Sequence, residues 1–546
     1  MKKICVLVVF ALLVFCIPNS PAMAAEDEFD YIIRDGGAMI TDISGYDDVV
    51  IPDTLDGYPV IGISEGALER NTSIDSLFIP ASVTTIQPLY LFSCYLAEFI
   101  VDENNPNYAA KDGILYSKDF TTLVCVPPYN PNTDGTLTIL DGVTTLARYA
   151  VTFTDFLYYI ELPDSLVCIE DEAFWDNARI KSITLPKNVA SIGENVFYDS
   201  PSLETVLVAE ENPHFTSIDG VLFDKAQTRL VVYPPAKAGT SYTVPSSVTS
   251  IASGAFSYCT ALEHITLPPY LPKIGAYTFQ RCSSLQELTL PNGITSIEDY
   301  AFFSCVRLSH IVLPDTVTSI GQDVFSKCYS LTSIQLPKAL KQIGREAFSQ
   351  CYSLTNIRLP EGITSIDEGI FWRCGNLKHC YIPDSVNWIY NDMFEGCYSL
   401  NSIFVPKGTR IIRNYVAEWP LIHCEAGSKA EKYAMDNEIA YILVCPPKNE
   451  AGNRLTLQNI AQAEEIHLGK QYMELNGSAA RLTVASYDNR GALLGAQPID
   501  AAPYDTGDAF VLPNNIEIPA GTAYMKIYVW QSPQSLRPAC VPFEIL

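Results

Sequence analysis

The segments CYSLTSIQLP (Cys328–Pro337), CYSLTNIRLP (Cys351–Pro360) and CYSLNSIFVP (Cys397–Pro406) are nearly identical. The first two begin 23 residues apart, and the second and third begin at twice that spacing. Cys374 opens the copy between them, CGNLKHCYIP, so the series is unbroken. Self-similarity at a fixed period is typical of repeat architectures, in which each unit packs mainly against its neighbours.

Three residue types keep the 23-residue step through this part of the chain. They are Pro245, Pro268, Pro291, Pro314, Pro337, Pro360, Pro383 and Pro406; Phe256, Phe279, Phe302, Phe325, Phe348, Phe371 and Phe394; and Cys259, Cys282, Cys305, Cys328, Cys351, Cys374 and Cys397. The consensus is P-x-x-[VIL]-x-x-I-x-x-x-[AVTIM]-F-x-x-C-x-x-L-x-x-I-x-[LV]. More divergent copies at Pro52, Pro80, Pro163 and Pro186 extend the array toward the N-terminus.

The end of each unit, L-x-x-I-x-L, has the alternation of a half-buried strand. In one copy Ile334 and Leu336 point inward, whereas Ser333 and Gln335 point outward. Proline then ends the strand, because it has no N–H to donate to a sheet. A single unit cannot bury its apolar residues alone. The sequence therefore predicts a mainly β solenoid of stacked 23-residue coils.

Two longer segments interrupt the array and match each other without gaps. They are NPNYAAKDGILYSKDFTTLVCVPP (Asn105–Pro128) and NPHFTSIDGVLFDKAQTRLVVYPP (Asn212–Pro235). Each has an Asp-Gly pair beside a short apolar run, then a polar turn and a second apolar run. This pattern predicts a β-hairpin inserted into the solenoid.

The repeat, these insertions and the closing segment CEAGSKAEKYAMDNEIAYILV from Cys424 resemble the BspA-like leucine-rich repeat proteins, over about residues 45–445. The resemblance implies a curved β-solenoid on a secreted or surface-displayed bacterial protein, often associated with adhesion and host contact. It supplies no catalytic residues. It also implies that a short helix over residues 427–434 caps the last coil.

The first 24 residues are typical of a secretory signal peptide. Lys2 and Lys3 precede an apolar run over Ile4–Ile17, which Ala22-Met23-Ala24 follows as a cleavage signal. A membrane anchor is disfavoured because the run is shorter than the roughly 20 residues of a spanning helix. Lipidation at Cys16 remains an alternative. No later stretch is long and apolar enough to span a bilayer, so we expect no membrane insertion of the mature chain.

Charge narrows the choice of partner. The formal net charge is −27, and loss of the two signal-peptide lysines makes it −29. Such a surface repels phosphate backbones and anionic lipid, so nucleic acid is not expected as a partner.

Of the 16 cysteines, two lie in the signal peptide. Sibling copies place Thr154, Asn177 and Ser200 at the repeat's cysteine position, which indicates a small side chain that satisfies a backbone group. We expect a column of buried thiols. Bridges between coils are disfavoured because side chains stacked in parallel point the wrong way, and metal ligation is disfavoured because a linear column is not tetrahedral. Any disulfide is expected among the cysteines outside the repeat register, Cys380, Cys424, Cys445 and Cys540.

No motif of a metalloprotease, serine hydrolase, phosphate-binding loop or EF-hand is present. His264, Glu287 and His310 fall on one outward column and raise the possibility of a metal site, but solvated surface side chains are the favoured interpretation. We therefore expect no enzymatic activity, no catalytic residue, no cofactor and no bound metal.

The outward strand positions are the candidate binding surface. One of their columns changes from threonines to Arg358, Tyr381 and Phe404 toward the C-terminal end, and aromatic and arginine side chains are enriched at protein interfaces. Coverage by the following domain, or ordinary β-propensity, would explain the same residues. The candidate binding residues are Glu287, His310, Gln335, Arg358, His379, Tyr381 and Phe404.

After Cys445 the period ends. RLTVASYDNRGALLG from Arg481 and IEIPAGTAYMKIYVW from Ile516 each read as two strands, which predicts a small β-sandwich. Tyr524, Tyr528 and Trp530 share one face, as core or as a sugar-stacking platform. The expected domains are a signal peptide (1–24), an N-terminal cap (25–50), the repeat array (51–445) and a C-terminal sandwich (446–546).

The leading hypothesis is a secreted or cell-surface recognition or adhesion protein, a monomer that binds an extracellular protein or glycan. The alternatives are a structural component of a cell envelope or matrix, and an accessory carbohydrate-binding role for the C-terminal domain.

Overall fold

The computed structural model describes residues 28–131, 135–154, 156–390, 392–400, 402–412, 420–424, 427–437 and 441–443, and the backbone of several strands between 465 and 545. The predicted signal peptide lies outside the described residues. The chain falls into two compact units, one formed by residues up to 133 with 149–154, the other by 134–148 with the remainder.

The first unit begins with a hairpin and continues as short strands. Its strands are β1 (Phe29–Arg34), β2 (Gly37–Ile43), β3 (Asp47–Val50), β4 (Thr54–Leu55), β5 (Tyr58–Ile63), β6 (Ile74–Ile79), β7 (Thr85–Ile86), β8 (Glu98–Val101), β9 (Tyr108–Lys111), β10 (Ile114–Ser117) and β11 (Thr122–Cys125). β1 and β2 are antiparallel, whereas β3, β6 and β8 form a parallel sheet. One apolar core fills this unit, from Phe29 to Cys125.

The second unit holds most of the repeats. Its strands are β12 (Thr136–Thr138), β13 (Thr145–Leu146), β14 (Tyr159–Glu161), β15 (Cys168–Ile169), β16 (Ser182–Leu185), β17 (Ser191–Ile192), β18 (Thr205–Val208), β19 (Phe215–Ile218), β20 (Val221–Asp224), β21 (Arg229–Val232), β22 (Ser241–Thr243), β23 (Ser250–Ile251), β24 (His264–Thr266), β25 (Lys273–Ile274), β26 (Glu287–Thr289), β27 (Ser296–Ile297), β28 (His310–Val312), β29 (Ser319–Ile320), β30 (Gln342–Ile343), β31 (Asn356–Arg358), β32 (Ser365–Ile366), β33 (His379–Tyr381), β34 (Trp388–Tyr390), β35 (Ser402–Val405), β36 (Arg410–Ile412), β37 (Leu421–Cys424) and β38 (Tyr441–Leu443), with helix α1 (Lys429–Asp436) between the last two.

Most repeats contribute two short parallel strands, one from the L-x-x-I-x-L segment and one from the V-x-x-I segment. The strand sheet, as we name the sheet made by the L-x-x-I-x-L segments, contains β22, β24, β26 and β28 side by side. The V-x-x-I segments form the second sheet, with β25, β27, β29, β30 and β32 in order. Partners in both sheets are 23 residues apart, as in Glu287 with His310 and Ser319 with Gln342. The predicted β-solenoid of 23-residue coils is confirmed.

The repeated phenylalanines stack in the centre of this unit. From Phe256 to Phe371 they are fully buried, and Phe394 is 2% exposed. Neighbouring rings lie 5.2–6.0 Å apart between centroids, with interplanar angles of 7–26°. The column belongs to one continuous apolar core that also contains the repeat's leucines, isoleucines and cysteines. Each coil therefore seals the apolar edge of the coil before it.

Two turn positions in the repeat adopt left-handed backbone conformations. The position before the cysteine has φ between +55° and +74° at Tyr258, Arg281, Ser304, Lys327, Gln350, Arg373 and Gly396. The position two residues before the phenylalanine is also left-handed, at Gly254, Tyr277, Tyr300, Asp323, Glu346 and Gly369. Most residue types adopt this conformation only at a cost, so the turns constrain which side chains fit there.

The two interrupting segments contain antiparallel strands. β9 pairs with β10 and β10 with β11 in the first, and β19, β20 and β21 follow the same order in the second. A buried asparagine holds the start of each segment. Asn212 donates to the carbonyls of Pro186 and Val189 and accepts from the backbone N–H groups of His214 and Phe215. Asn105 makes the same four bonds in its own segment.

Helix α1 follows the last repeat, as the closing segment implies. Ser428 is its N-cap and accepts from the backbone N–H of Glu431 at 3.0 Å. Ala430 and Ala434 are fully buried and belong to the core of the second unit. No helix in the described part of the chain is both long and apolar enough to cross a membrane.

Beyond residue 443 the structure describes only strands. They are β39 (Glu465–His467), β40 (Arg481–Tyr487), β41 (Leu493–Asp500), β42 (Ala502–Pro503), β43 (Ala509–Val511), β44 (Tyr524–Trp530) and β45 (Phe543–Ile545). They pair antiparallel in two sheets, β39-β43-β42 and β41-β40-β44-β45. The facing of Tyr524, Tyr528 and Trp530 lies outside what the structure describes.

Removal of one ring from the phenylalanine column should weaken the whole second unit. We expect Phe325→Ala to lower the free energy of unfolding by about 3–5 kcal/mol, because the ring is fully buried between two neighbours. Tyr270→Ala is the matched control, since Tyr270 is 74% exposed. Urea denaturation of both variants checks this expectation, and equal midpoints would contradict it.

Candidate binding surfaces

The outward positions of the strand sheet form aligned columns. His264, Glu287 and His310 are consecutive register partners in β24, β26 and β28. Their side chains are exposed, whereas the intervening Leu288 and Ile311 are buried. Gln335, in the L-x-x-I-x-L segment of the next coil, is exposed as well, although that segment forms only an isolated bridge between Ser333 and Asn356. These residues therefore lie on the open face of the sheet and are accessible to a partner.

At the C-terminal end of the same surface, one outward side chain covers another. Tyr381 is only 3% exposed, so the expectation that it is an exposed aromatic residue is wrong. The Arg358 guanidinium lies 4.2 Å from the centroid of the Tyr381 ring, and the Tyr381 hydroxyl donates to Glu361 at 2.8 Å. Burial lowers the pKa of Arg358, although Tyr381 and Glu361 act in the opposite direction. Tyr381 thus serves as an internal support beneath a half-buried arginine.

The remaining candidate residues are half-buried. His379 is the register partner of Asn356, and Phe404 is the partner of His423 in β37. Both are intermediate in exposure. The structure therefore divides the predicted set into an exposed group, Glu287, His310 and Gln335, and a partly covered group around Arg358.

The cysteine column is made of free, buried thiols, as predicted. Each Sγ from Cys282 to Cys397 donates to the carbonyl of a column phenylalanine 26 residues earlier, at 3.0–3.3 Å. Ser200 bonds the Phe174 carbonyl in the same way in its own coil. Cys380 and Cys424 are also free, and Cys445 and Cys540 lie outside the described residues.

Burial sets the chemistry of these thiols. It raises the pKa of Cys351 and Cys374 well above the usual value and that of Cys397 to about 12. A protonated, enclosed thiol is neither a nucleophile nor a metal ligand. Among the described residues, no group of three or more histidine, cysteine and acidic side chains is placed to hold a metal ion.

A pocket of about 210 Å³ opens on the turn side of the second unit. Aromatic rings dominate its lining, with Trp175, Tyr198, Tyr277, Tyr300 and Phe303. Sequence reasoning missed this pocket, because its residues come from coils separated by the second interrupting segment. The sequence did contain one signal of the pocket, which is the presence of two tyrosines at a turn position that holds other residue types in sibling coils. Tyr277 and Tyr300 stand where sibling coils have Gly254, Asp323, Glu346 and Gly369.

The two-sheet coil geometry defines a leucine-rich repeat solenoid. A model of the BspA type leucine rich repeat region matches residues 133–235, 236–337 and 318–418, in six copies. These matches span more than half of the 546 residues, and the chain belongs to the BspA-type leucine-rich repeat family. Membership indicates a non-enzymatic repeat protein.

Solved structures of bacterial leucine-rich repeat proteins are similar to this chain. A leucine rich cell surface protein from Faecalibacterium prausnitzii is 23% identical, with 73% of this chain and 96% of that chain covered and a TM-score of 0.34. The pneumococcal vaccine antigen PcpA is 19% identical, with coverage of 76% and 97% and a TM-score of 0.37. A leucine rich repeat protein from T. pallidum is 18% identical, with coverage of 70% and 90% and a TM-score of 0.21. No curated protein matches the chain.

The column thiols should resist alkylation in the folded protein. At pH 8 we expect iodoacetamide to leave Cys351 and Cys374 unmodified, since their raised pKa keeps them protonated and burial blocks the reagent. Cys168, which is half-exposed, is the internal control and should react first. Mass spectrometry of the digested protein, with and without urea, measures the order. Equal labelling of Cys351 and Cys168 in the native state would disprove the buried column.

Tyr381 should matter for stability through its ring more than through its hydroxyl. Tyr381→Phe keeps the contact with Arg358 and loses the bond to Glu361, an expected loss of about 1 kcal/mol. Tyr381→Ala also empties a buried site, with an expected loss of about 3 kcal/mol or more. Urea denaturation distinguishes the two, with exposed Tyr352→Ala as control. Equal effects of Ala and Phe would refute the internal role.

Proposed function

We propose that this protein is exported through residues 1–24 and acts at the cell surface or in the medium as a recognition or adhesion protein. The strand sheet presents its outward columns to an extracellular protein or glycan, and the protein works as a monomer. The alternation of fixed inward and varied outward residues supports this proposal. Packing requires Leu288 and Ile311, but it does not require the identity of Glu287 or His310.

The partner surface in this proposal comprises two adjoining parts. Glu287, His310 and Gln335 form its exposed part. Arg358, His379 and Phe404 form a partly covered part, in which Arg358 packs on the Tyr381 ring. Half-buried arginine and aromatic groups lose little freedom on binding, because their positions are already fixed. We therefore propose that the exposed part makes polar contacts with the partner, and that the covered part presents a cationic and aromatic edge whose position is already fixed.

Two features of architecture belong to the same proposal. The antiparallel strands of the interrupting segments support their role as hairpins carried on the solenoid. The two antiparallel sheets after residue 465 support a C-terminal β-sandwich over 446–546, preceded by the array over 51–445 and a cap over 25–50. In this arrangement the array recognises the partner.

A matched pair of variants tests which sheet binds. Gln335 lies in the L-x-x-I-x-L segment of its coil and Gln342 lies in β30 of the second sheet, and both residues are exposed. The mature chain is first screened against immobilised purified extracellular matrix proteins and glycans. Gln335→Arg should then weaken binding to the partner found by about tenfold, roughly 1.4 kcal/mol, whereas Gln342→Arg should have no effect.

Two results would contradict the proposal. One is the absence of any partner in the screen. The other is an equal effect of the two arginine substitutions, which would point to a nonspecific response to charge. Export is tested separately by cell fractionation, where retention of the full-length chain in the cytoplasm is the opposing outcome.

A further inference from the structure

The first unit has an open sheet edge at β3. The N-terminal hairpin adds β1 and β2 to the sheet that contains β5 and β7, but no strand in the described part of the chain pairs with the outer side of β3. At the opposite edge of the β3-β6-β8 sheet, the N–H of Phe99 in β8 donates to the Gly113 carbonyl at 2.8 Å. The β8 edge is therefore partly satisfied, whereas the β3 edge is open to another chain.

Backbone hydrogen bonds show which groups point to that edge. The N–H groups of Asp47 and Ile51 donate to carbonyls on the β6 side, at 2.6 and 3.1 Å. Successive residues of a strand direct their N–H and C=O groups to opposite sides, so those of Asp48 and Val50 point away from β6. A row of this kind is a template for one more strand, and the groups that complement it are those of a peptide backbone.

An apolar row of outward side chains leads up to the open edge. Val50, Phe78 and Ile100 are register partners in β3, β6 and β8. Val50 is 48% exposed and Ile100 is 42% exposed, so the row is accessible to a partner. A strand added beside β3 would place one of its own outward side chains next to Val50, where an apolar residue would extend the row.

The surroundings of the edge are strongly acidic. Residues 28–131 contain 16 acidic and 4 basic residues, and none of the basic ones lies in β3, β6 or β8. The outward row beside the apolar one contains Asp48, which is exposed, and Glu98, which is half-buried. The local potential therefore favours a cationic segment and disfavours nucleic acid and anionic lipid.

We propose that the β3 edge binds an extended cationic segment of a partner protein, which joins the sheet as a further strand. A lysine or arginine of that segment lies opposite Asp48, and an apolar residue two positions away lies opposite Val50. A second copy of this chain is disfavoured at the edge, because two acidic strands would lie side by side. A glycan lacks the regular N–H and C=O groups that pair with a sheet edge. The site goes beyond the proposed function, whose partner surface lies in the second unit.

The test uses the mature full-length protein and the fluorescence anisotropy of labelled peptides. In the peptide KTVTKTVT, lysine and valine share one face of an extended strand, as the two outward rows require. We expect this peptide to bind, and its affinity to fall as sodium chloride is added, because salt screens exposed charges. ETVTETVT, with glutamate for lysine, and KTSTKTST, with serine for valine, should each bind about tenfold more weakly or less.

A matched pair of variants places the binding at β3. Asp48→Asn removes the charge but can still accept from the Ser76 hydroxyl, and it should weaken binding of the lysine peptide about tenfold. Asp35→Asn is the control, because it removes the same charge in the β1–β2 turn, at the far end of β2 from the link to β3. Asparagine tolerates the φ of +52° at that position. The control should bind as the wild type does.

Alternate N-methylation distinguishes strand addition from simple charge attraction. An added strand directs the N–H groups of only every second residue toward the edge that it joins. Two versions of the lysine peptide are therefore compared, one methylated on the threonine nitrogens and the other on the lysine and valine nitrogens. Only one of the two should lose binding.

Four results would overturn the inference. They are failure of the lysine peptide to bind, an equal response to the two methylation patterns, an equal effect of Asp35→Asn and Asp48→Asn, and dimerisation of the protein that the lysine peptide reverses. The last result would assign the edge to a second copy of the chain. The outcome for Gln335→Arg concerns the second unit and has no bearing on this one.

Discussion

The stacking of one phenylalanine per coil is the interaction on which the second unit depends. A 23-residue coil is too small to enclose its own apolar side chains, and its ring becomes buried only when the next coil covers it. The ring column in turn fixes the backbone on either side. The carbonyls of the column phenylalanines from Phe256 to Phe371 each accept from a cysteine thiol of the next coil, as in Cys305 to Phe279 at 3.0 Å. Apolar ring contacts and thiol hydrogen bonds therefore hold neighbouring coils together at the same place.

The fold could be predicted from sequence because the period is a packing requirement. Residues that must stack, such as Phe302 and Cys305, recur in all seven coils from Phe256 to Cys397, and their spacing alone gives the coil length. The alternation in L-x-x-I-x-L also placed Glu287 and Gln335 outward correctly. Where a residue's environment is repeated in every coil, local pattern and tertiary structure agree.

The sequence pattern did not predict features that depend on differences between neighbouring coils. Tyr381 lies at an outward strand position, yet Arg358 from the preceding coil folds over its ring and removes it from solvent. The alternation of inward and outward residues along one strand does not show whether a side chain from a neighbouring strand covers one of the outward residues. The aromatic pocket was missed for a related reason. Tyr198 and Tyr277 touch although 79 positions of chain, including the second interrupting segment, separate them.

The thiol column has a consequence for how the protein reaches its native packing. All twelve cysteines that the structure describes are unbridged, and sulfur acts in the repeat as a small hydrogen-bond donor. No covalent bond between coils has to be made, broken or rearranged before the array is complete. Assembly therefore needs neither an oxidant nor a disulfide isomerase, and the described array should hold equally well in anoxic and aerated surroundings.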